Sequence, residues 1–528
     1  MFETGQISKR MRGHGGRLAM RLGLVMLAAS LALVGAGTGW GASSYDPALD
    51  MNSMYNTTLY TGAQAWWGAG YTGTGVDVAL IDSGVSPVPG LDSPGKVIYG
   101  PDLSFESQAS NLRNLDTYGH GTHMAGIIAG RGSGAVAGHY AGDVADFLGT
   151  APDARIVSLK VATSDGAADV SQVIAAIDWV VQHRNDNGLN IRVLNLSFGT
   201  DAGQGYGVDP LAYAVEQAWK AGIFVVAATG NNGFVAHTGT LTNPAFDPKI
   251  FAVGASDSMG TPTTADDTVA SFSSTGSNSR YVDVVAPGAH IVSLRDPASY
   301  VDQTYGGTGY VTAQLFRGSG TSQAAAVVSG AAALAIQKFP SITPDYLKNL
   351  FIQNVALLNG FSKQMQGFGE INLTKMLAAT LVQPSNSWNR LAWSTGTGSL
   401  DQARGSVYVV NSGVTLRGEQ DIFGHAFDST AMATAEAAGN SWSGGTWNGN
   451  TWSGSSWSGN SWSGNTWSGN SWSGSSWSGN SWSGNTWSGS SWSGSSWSGN
   501  SWSGSTWSGS SWSGSSWSDN GWLGAGWG

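Results

Sequence analysis

Short apolar runs alternate with longer amphipathic stretches through the first two thirds of the chain. The apolar runs are four to seven residues long and rich in Val, Ile and Ala, which predicts buried β-strands. These runs are 76–81, 155–161, 193–196, 224–228 and 250–253. Helical patterns lie between them, for example over 170–184 and 210–221. The alternation predicts an α/β domain over residues 50–380 with a mostly parallel sheet, whose functional residues lie beyond the carboxyl ends of the strands.

The pattern changes after residue 380. Two short apolar runs, 406–410 and 414–416, flank an Asn-Ser-Gly turn, and this arrangement predicts a small hairpin. Residues 430–439 are small and Ala-rich, which we interpret as a linker. Residues 381–439 are therefore predicted to form a small β segment followed by a linker.

Residues 440–528 form a low-complexity repeat in which eighteen Trp residues recur every five positions from Trp442 to Trp527. A period of five suits neither a helix nor a flat strand. A four-sided β-solenoid with five residues per side would give every Trp one orientation over about four and a half coils. In its period the tail resembles pentapeptide-repeat solenoids, although those carry Leu or Phe where this chain has Trp. The alternative is a disordered Gly/Ser-rich chain.

Rows of Trp side chains stack on sugar rings, so one hypothesis for the tail is attachment to a cell wall or polysaccharide surface. Self-association and a simple spacer are the alternatives.

Residues 1–42 have the layout of a secretory signal peptide. Five basic residues between positions 9 and 21 precede an apolar run over 22–36 and small residues near 39–42. The alternative is a membrane anchor, but the run is shorter than the roughly 20 residues that a spanning helix needs. We therefore expect a secreted, extracellular protein with no transmembrane segment in its mature form.

Composition excludes several classes of function. The 528 residues are too many for one ordinary core, so at least two regions are expected. The net charge is −10 and no long basic run follows the N-terminus, so nucleic acid is not an expected partner. The chain has no Cys, which excludes disulfides, zinc–thiolate sites and a thiol nucleophile.

Three short motifs carry candidate catalytic residues. Asp82 ends the first predicted strand, His120 lies between two glycines at the start of a helix, and Ser322 follows Gly-Thr before an Ala-rich helix. A serine hydroxyl needs a base within hydrogen-bond reach, and the base needs a partner that holds its tautomer. The residues supply a nucleophile, a base and an orienting acid in the order Asp, His, Ser, one of three unrelated orders of this triad. They therefore indicate acyl transfer.

Each motif alone has a structural explanation. An Asp after a strand is commonly a turn residue, and Gly-Thr-Ser at a helix start is commonly an N-cap. His120 and His123 also resemble a metal-binding pair, but they are three residues apart and Asp116 does not complete a familiar ligand spacing, which argues against a zinc site. The strand 224–228 runs into Thr-Gly-Asn, which makes the Asn231 amide a candidate oxyanion donor.

On these motifs, roughly residues 55–380 resemble the subtilisin family of serine peptidases. The resemblance implies a three-layer fold, a triad of Asp82, His120 and Ser322, Asn231 as the oxyanion-hole amide, and endopeptidase action on protein or peptide substrates. It also implies that two segments wall the substrate cleft. They are Ser197, Phe198 and Gly199 on one side and Ala228, Thr229 and Gly230 on the other.

The sequence departs from the family pattern at Gln323 and Ala326, where Met and Pro are usual. The resemblance implies no cofactor for catalysis, and structural calcium is expected by family analogy alone, with carboxylates at 143, 146, 266 and 267 as candidates. The alternative function is a non-enzymatic surface or carbohydrate-binding protein on an inactive peptidase scaffold.

Overall fold

The computed structural model describes residues 45–442, except 108, 110, 235–240, 385–389, 407, 412–413 and 423–425, together with three backbone strands of the repeat. The predicted signal peptide lies outside the described residues. Within those residues, no helix has the length and apolar character needed to cross a membrane.

Helices occur throughout the described part of the chain before the repeat. They are α1 Met54–Thr61, α2 Ala63–Gly68, α3 His120–Ala129, α4 Val170–His183, α5 Pro210–Lys220, α6 Tyr300–Gly309, α7 Thr321–Lys338, α8 Pro344–Gln353, α9 Lys363–Gln366, α10 Leu373–Ala378, α11 Leu400–Arg404 and α12 Ser429–Ala437. A short 3₁₀ helix spans Asp186–Gly188.

The strands fall into one large sheet and several small ones. They are β1 Asp77–Asp82, β2 Val97–Asp102, β3 Arg155–Lys160, β4 Ile191–Leu196, β5 Phe224–Ala228, β6 Phe251–Asp257, β7 Thr268–Val269, β8 Val284–Pro287, β9 Ile291–Leu294, β10 Leu315–Gly318, β11 Val355–Ala356, β12 Glu370–Ile371, β13 Val410–Asn411, β14 Val414–Thr415, β15 Ser453–Gly504, β16 Thr506–Asp519 and β17 Trp522–Gly524.

The large sheet has the strand order β11-β12-β8-β6-β5-β4-β1-β3-β2, and β7 pairs with β6. Its pairs are parallel except β11 with β12 and β6 with β7. Strands β1, β4 and β5 are fully or almost fully buried, as the continuous apolar runs predicted. The predicted α/β fold with a mostly parallel sheet is confirmed.

Helices cover both faces of this sheet. α3 and α7 pack on each other and on the sheet, while α4 and α5 form a second packed pair in contact with β1 and β5. The α/β domain therefore has the three layers that the resemblance implied. α7 is the central helix of its layer, because every residue from Thr321 to Ile336 is buried. It runs without interruption through Ala326, the position at which the subtilisin pattern has Pro.

α3 and α7 run side by side in the same direction. A Cβ on Gly318, just before α7, would lie 3.3 Å from His123 Nε2 near the start of α3. Further along, a Cβ on Gly330, the tenth residue of α7, would lie 2.9 Å from the carbonyl oxygen of Ile128, the ninth residue of α3. The contacts advance along both helices together, so the helices are parallel and their N-termini lie close to each other.

The chain from 390 to 442 packs onto the α/β domain. The sequence predicted a linker over 430–439, but the structure has α12 there, with Asp428 as N-cap and Met432 and Ala433 buried. The Tyr213 hydroxyl of α5 donates a hydrogen bond to the Ala433 carbonyl at 3.0 Å. Ala is a strong helix former, and the apolar side of the helix finds a partner in α5. The predicted hairpin is present as the antiparallel pair β13 and β14, although β13 is shorter than expected.

In the repeat, the structure describes the backbone of β15, β16 and β17. β15 pairs in parallel with the other two, and its partners lie twenty residues apart, as Trp487 with Trp507 and Trp502 with Trp522. Twenty residues are four repeats, which is also the length of one coil of a four-sided solenoid. The solenoid itself stays a prediction.

Substitution of Gly330 by Ala tests the α3–α7 contact. A Cβ there would lie 2.5 Å from Thr150 Cβ and 2.9 Å from the Ile128 carbonyl oxygen, so we expect a loss of about 1–3 kcal/mol in unfolding free energy. The matched control is Gly307→Ala in α6, where a Cβ meets nothing within 4 Å. That change should stabilise by about 0.5–1 kcal/mol. Denaturant unfolding of both variants measures the difference, and equal effects would contradict the close packing.

Candidate active site

Asp82 is the last residue of β1, at the carboxyl end of a central parallel strand. Its Oδ1 lies 2.8 Å from His120 Nδ1 and accepts a hydrogen bond from the Ser83 N–H, also at 2.8 Å. The Asp82 side chain is 7% exposed and that of His120 is 26% exposed. The acid is therefore held inside the protein while the imidazole reaches the surface, as a base that meets a substrate must.

Glycine allows the His120 helix to approach β1 this closely. A Cβ on Gly121 would lie 2.1 Å from the Gly84 carbonyl oxygen, which no side chain could accommodate. Gly84 has φ +108°, and a Cβ there would clash with the backbone of Asn114 and Leu115. The small residues around the two motifs are therefore needed for the Asp82–His120 contact.

Asp116 organises the loop that carries His120. Its carboxylate accepts hydrogen bonds from the Gly119 N–H and the Thr122 N–H, both at 2.6 Å. It also accepts one from Ser83 Oγ at 2.7 Å, and Ser83 Oγ in turn accepts from the Gly121 N–H at 3.0 Å. From the sequence, Asp116 was a candidate only as a metal ligand, although its place four residues before His120 was a signal of this role.

The charge around His120 favours its protonated form. Burial lowers the pKa of the imidazole, but the Asp82 carboxylate and its hydrogen bond outweigh that effect, and Asp116 adds to it, so the pKa is raised above the ordinary value. An imidazole of this kind is well suited to accept a proton from a nucleophile and hold it.

Ser322 lies in the first turn of α7 and is largely buried. Because α3 and α7 begin side by side, Ser322 and His120 lie in the first turns of two neighbouring helices. The first N–H groups of a helix have no intrahelical partner, and they carry a partial positive charge. Ser322 therefore lies within a positive backbone environment, at a helix N-terminus close to that of α3.

Asn231 follows β5 and lies against the start of α7. Its Oδ1 accepts hydrogen bonds from the Thr321 N–H at 2.9 Å and from Thr321 Oγ1 at 3.0 Å. A Cβ on Gly320 would lie 3.3 Å from Asn231 Nδ2. With Oδ1 engaged, Nδ2 is the group that can donate to an anion forming beside Ser322.

The two predicted cleft walls also meet at this edge of the sheet. The hydroxyl of Ser197 lies 3.4 Å from the Ser322 carbonyl oxygen, and the Gly230 N–H donates to Thr321 Oγ1 at 3.1 Å. Phe198 and Gly199 continue the first wall, while Ala228 and Thr229 are buried at the end of β5. The structure thus places both walls beside the start of α7.

The possible metal ligands are not gathered into a site. Burial, with the nearby charge of His120, lowers the pKa of His123 to about 3, so its ring is neutral and interior. Asp143 accepts hydrogen bonds from backbone N–H groups of its own loop. Within the described residues, no group of three or more His, Asp or Glu side chains is arranged to hold a metal ion. Structural calcium stays a prediction from the resemblance.

Comparison with known proteins agrees with the resemblance to the subtilisin family. The model of the Subtilase family matches residues 73–369. Serine protease AprX of Bacillus subtilis (strain 168) is 36% identical over 308 residues, which are 57% of this chain and 66% of AprX. Subtilisin DY of Bacillus licheniformis is 34% identical over 280 residues, 53% of this chain and 83% of that protein. Subtilisin Savinase of Lederbergia lenta is 33% identical over 303 residues, 57% of this chain and 91% of that protein.

The substitution Asp116→Asn tests the electrostatic influence of Asp116 on His120. A general base must be neutral, so kcat/KM for an ester or amide substrate falls as the pH drops below the His120 pKa. Removal of the Asp116 charge lowers that pKa, and we expect the acid limb to move to lower pH by roughly half to one unit.

The control is Asp143→Asn, which removes one charge outside the site and should leave the limb in place. An unchanged or upward-shifted acid limb in Asp116→Asn would contradict the role of this carboxylate.

Proposed function

The chain belongs to the subtilase family of serine peptidases, and on this basis we propose that it is an exported serine endopeptidase. The observation that carries the proposal is the 2.8 Å contact of His120 with Asp82 at the point where α3 and α7 begin together. The match spans about two thirds of AprX, so the family supports the chemistry of the domain, and the activity of the whole chain is our proposal.

The proposed reaction has two halves. Ser322 Oγ attacks the carbonyl carbon of the substrate peptide bond, and His120 Nε2 takes the hydroxyl proton. His120 then gives that proton to the leaving amine as the C–N bond breaks, which leaves an acyl-enzyme on Ser322. Water repeats the sequence, again losing its proton to His120, and releases the acid and the free serine. Asp82 accepts the Nδ1–H of His120 throughout, so Nε2 is the nitrogen that exchanges protons.

Negative charge forms on the substrate carbonyl oxygen in both halves. The Ser322 N–H and Asn231 Nδ2 are the donors proposed to stabilise it. Both are positioned before the reaction, because α7 holds the first and Thr321 holds Asn231 by two hydrogen bonds. Preorganised donors of this kind stabilise a transition state without reorganisation during the reaction.

The proposed substrate is an extended segment of protein or peptide between the two walls 197–199 and 228–230. Pairing of a substrate backbone with an enzyme strand recognises peptide in general, and side-chain pockets refine the choice. This mode of binding favours flexible or unfolded regions of proteins.

Covalent labelling tests the proposed nucleophile. A fluorophosphonate probe should label the full-length wild type through Ser322 Oγ, and Ser322→Ala should abolish labelling with no change in unfolding temperature. In Asn231→Ala, kcat for a peptide substrate should fall by about 10²–10³ with KM nearly unchanged, as removal of the equivalent donor does in subtilisin.

A well-folded wild type that resists the probe would refute the peptidase and favour a non-enzymatic surface protein. A large rise in KM with unchanged kcat in Asn231→Ala would contradict its oxyanion role.

We further propose that the Trp repeat attaches the peptidase to a cell wall or polysaccharide surface. The supporting observations are the regular spacing of the Trp residues and the near absence of charge, Asp519 being the one charged residue from 440 to 528. Full-length Ser322→Ala protein should be retained on insoluble cell-wall polysaccharide, and a variant that ends at residue 442 should not. Equal recovery of the two in the unbound fraction would refute the attachment.

A further inference from the structure

A short segment beyond the family-matched region is bonded to the chain that follows the first cleft wall. Residues 399–406, here called the buttress, lie along residues 200–204. Thr200 Oγ1 donates to the Ala403 carbonyl at 2.6 Å, and the Gly203 N–H donates to the Gln402 carbonyl at 2.9 Å. At the end of this contact, Gln204 Nε2 donates to the Ser399 carbonyl at 2.8 Å, and the Ser399 N–H donates back to Gln204 Oε1 at 3.0 Å.

The buttress is itself anchored in the core. Leu400 and Ala403 are fully buried. Arg404 is also buried, and its Nε lies 2.6 Å from Oδ2 of Asp169, the N-cap of α4. Arg404 Nη1 donates to the Gly418 carbonyl at 2.6 Å. A buried, hydrogen-bonded ion pair fixes the position of the segment, because moving it would leave one charge without a partner.

Thr200 connects the buttress to both cleft walls. It directly follows Gly199, and it exchanges backbone hydrogen bonds with Asn243 at 3.1 and 2.9 Å. The preceding residue, Thr242, lies between the walls, since a Cβ on Gly199 would be 2.3 Å from its Oγ1 and one on Gly230 would be 2.7 Å from its Cγ2. Thr242 therefore contacts both walls. The next residue, Asn243, is paired with Thr200, whose hydroxyl donates to the Ala403 carbonyl.

We propose that the buttress positions the substrate-binding walls, so that the Thr200–Ala403 hydrogen bond contributes to substrate affinity. The inference rests on the proposed peptidase function and deepens it by assigning part of substrate binding to residues outside 73–369. Thr200 acts through Gly199 and Asn243, so it is a positioning residue. Its loss should weaken peptide binding in the ground and transition states alike, which raises KM and leaves kcat nearly unchanged.

The pair Thr200→Val and Thr200→Ser tests this role. Val keeps the shape of Thr but lacks the hydroxyl, whereas Ser keeps the donor. For a substrate peptide that extends several residues on the acyl side, we expect KM to rise roughly two- to tenfold in Thr200→Val, the range for one lost hydrogen bond, and to stay near wild type in Thr200→Ser. Labelling of Ser322 by a small fluorophosphonate that lacks a peptide should proceed at the wild-type rate in both variants.

Binding of the uncleaved peptide separates this inference from the proposed function. The dissociation constant of the peptide, measured for Ser322→Ala with and without Thr200→Val, should rise by the same two- to tenfold factor even if the chain proves not to be a peptidase. Unchanged KM and unchanged peptide affinity in Thr200→Val would overturn the proposal. If the unfolding temperature fell while KM and peptide affinity stayed unchanged, the contact would be purely structural. A loss of affinity of equal size in Thr200→Ser would also overturn it.

Discussion

The close, parallel packing of α3 against α7 is the constraint on which the rest of the site depends. The proposed base, His120, and the proposed nucleophile, Ser322, each lie in the first turn of one of these helices, so their separation depends on how closely the two helix axes approach. Gly330 on α7 permits the close approach to α3 at Ile128, and Gly121 lets α3 start against the end of β1. Because His120 and Ser322 belong to packed helices rather than to loops, their positions are set by the core.

Asp82 is hydrogen-bonded to His120, and Asn231 is hydrogen-bonded to Thr321, the residue before Ser322. Asp82 ends a central strand, and Asn231 follows another, so the parallel sheet delivers both to the edge at which the helices begin. Asp116 then positions the loop that carries His120 by accepting hydrogen bonds from its backbone. Thr321 positions Asn231 by donating a hydrogen bond to its amide oxygen.

The segment from 390 to 442 packs on the layer of α4 and α5, which is opposite the layer of α3 and α7. Three buried acids on α4 and α5, or at their start, find partners in this segment. Asp169 pairs with Arg404, Asp178 accepts from the Trp442 N–H at 3.0 Å, and Glu216 accepts from the Ser394 N–H at 2.8 Å. Burial of carboxylates without such partners would be costly, so this segment is a packed part of the domain rather than a linker to the repeat.

The order of strands and helices, the parallel sheet and the principal catalytic candidates all follow from local sequence. Buried strands are continuous apolar runs, and the motifs around Asp82, His120 and Ser322 need small residues that are visible in the chain. Asp116, Thr200 and α12 could not be recognised in the same way. An acid before a His, a Thr after a Gly and an Ala-rich stretch have many local explanations, and only packing against distant residues selects one. The hydrogen bond of Ser83 to Asp116, that of Thr200 to Ala403 and that of α5 to α12 join residues far apart in the sequence, so the folded chain defines them rather than spacing along it.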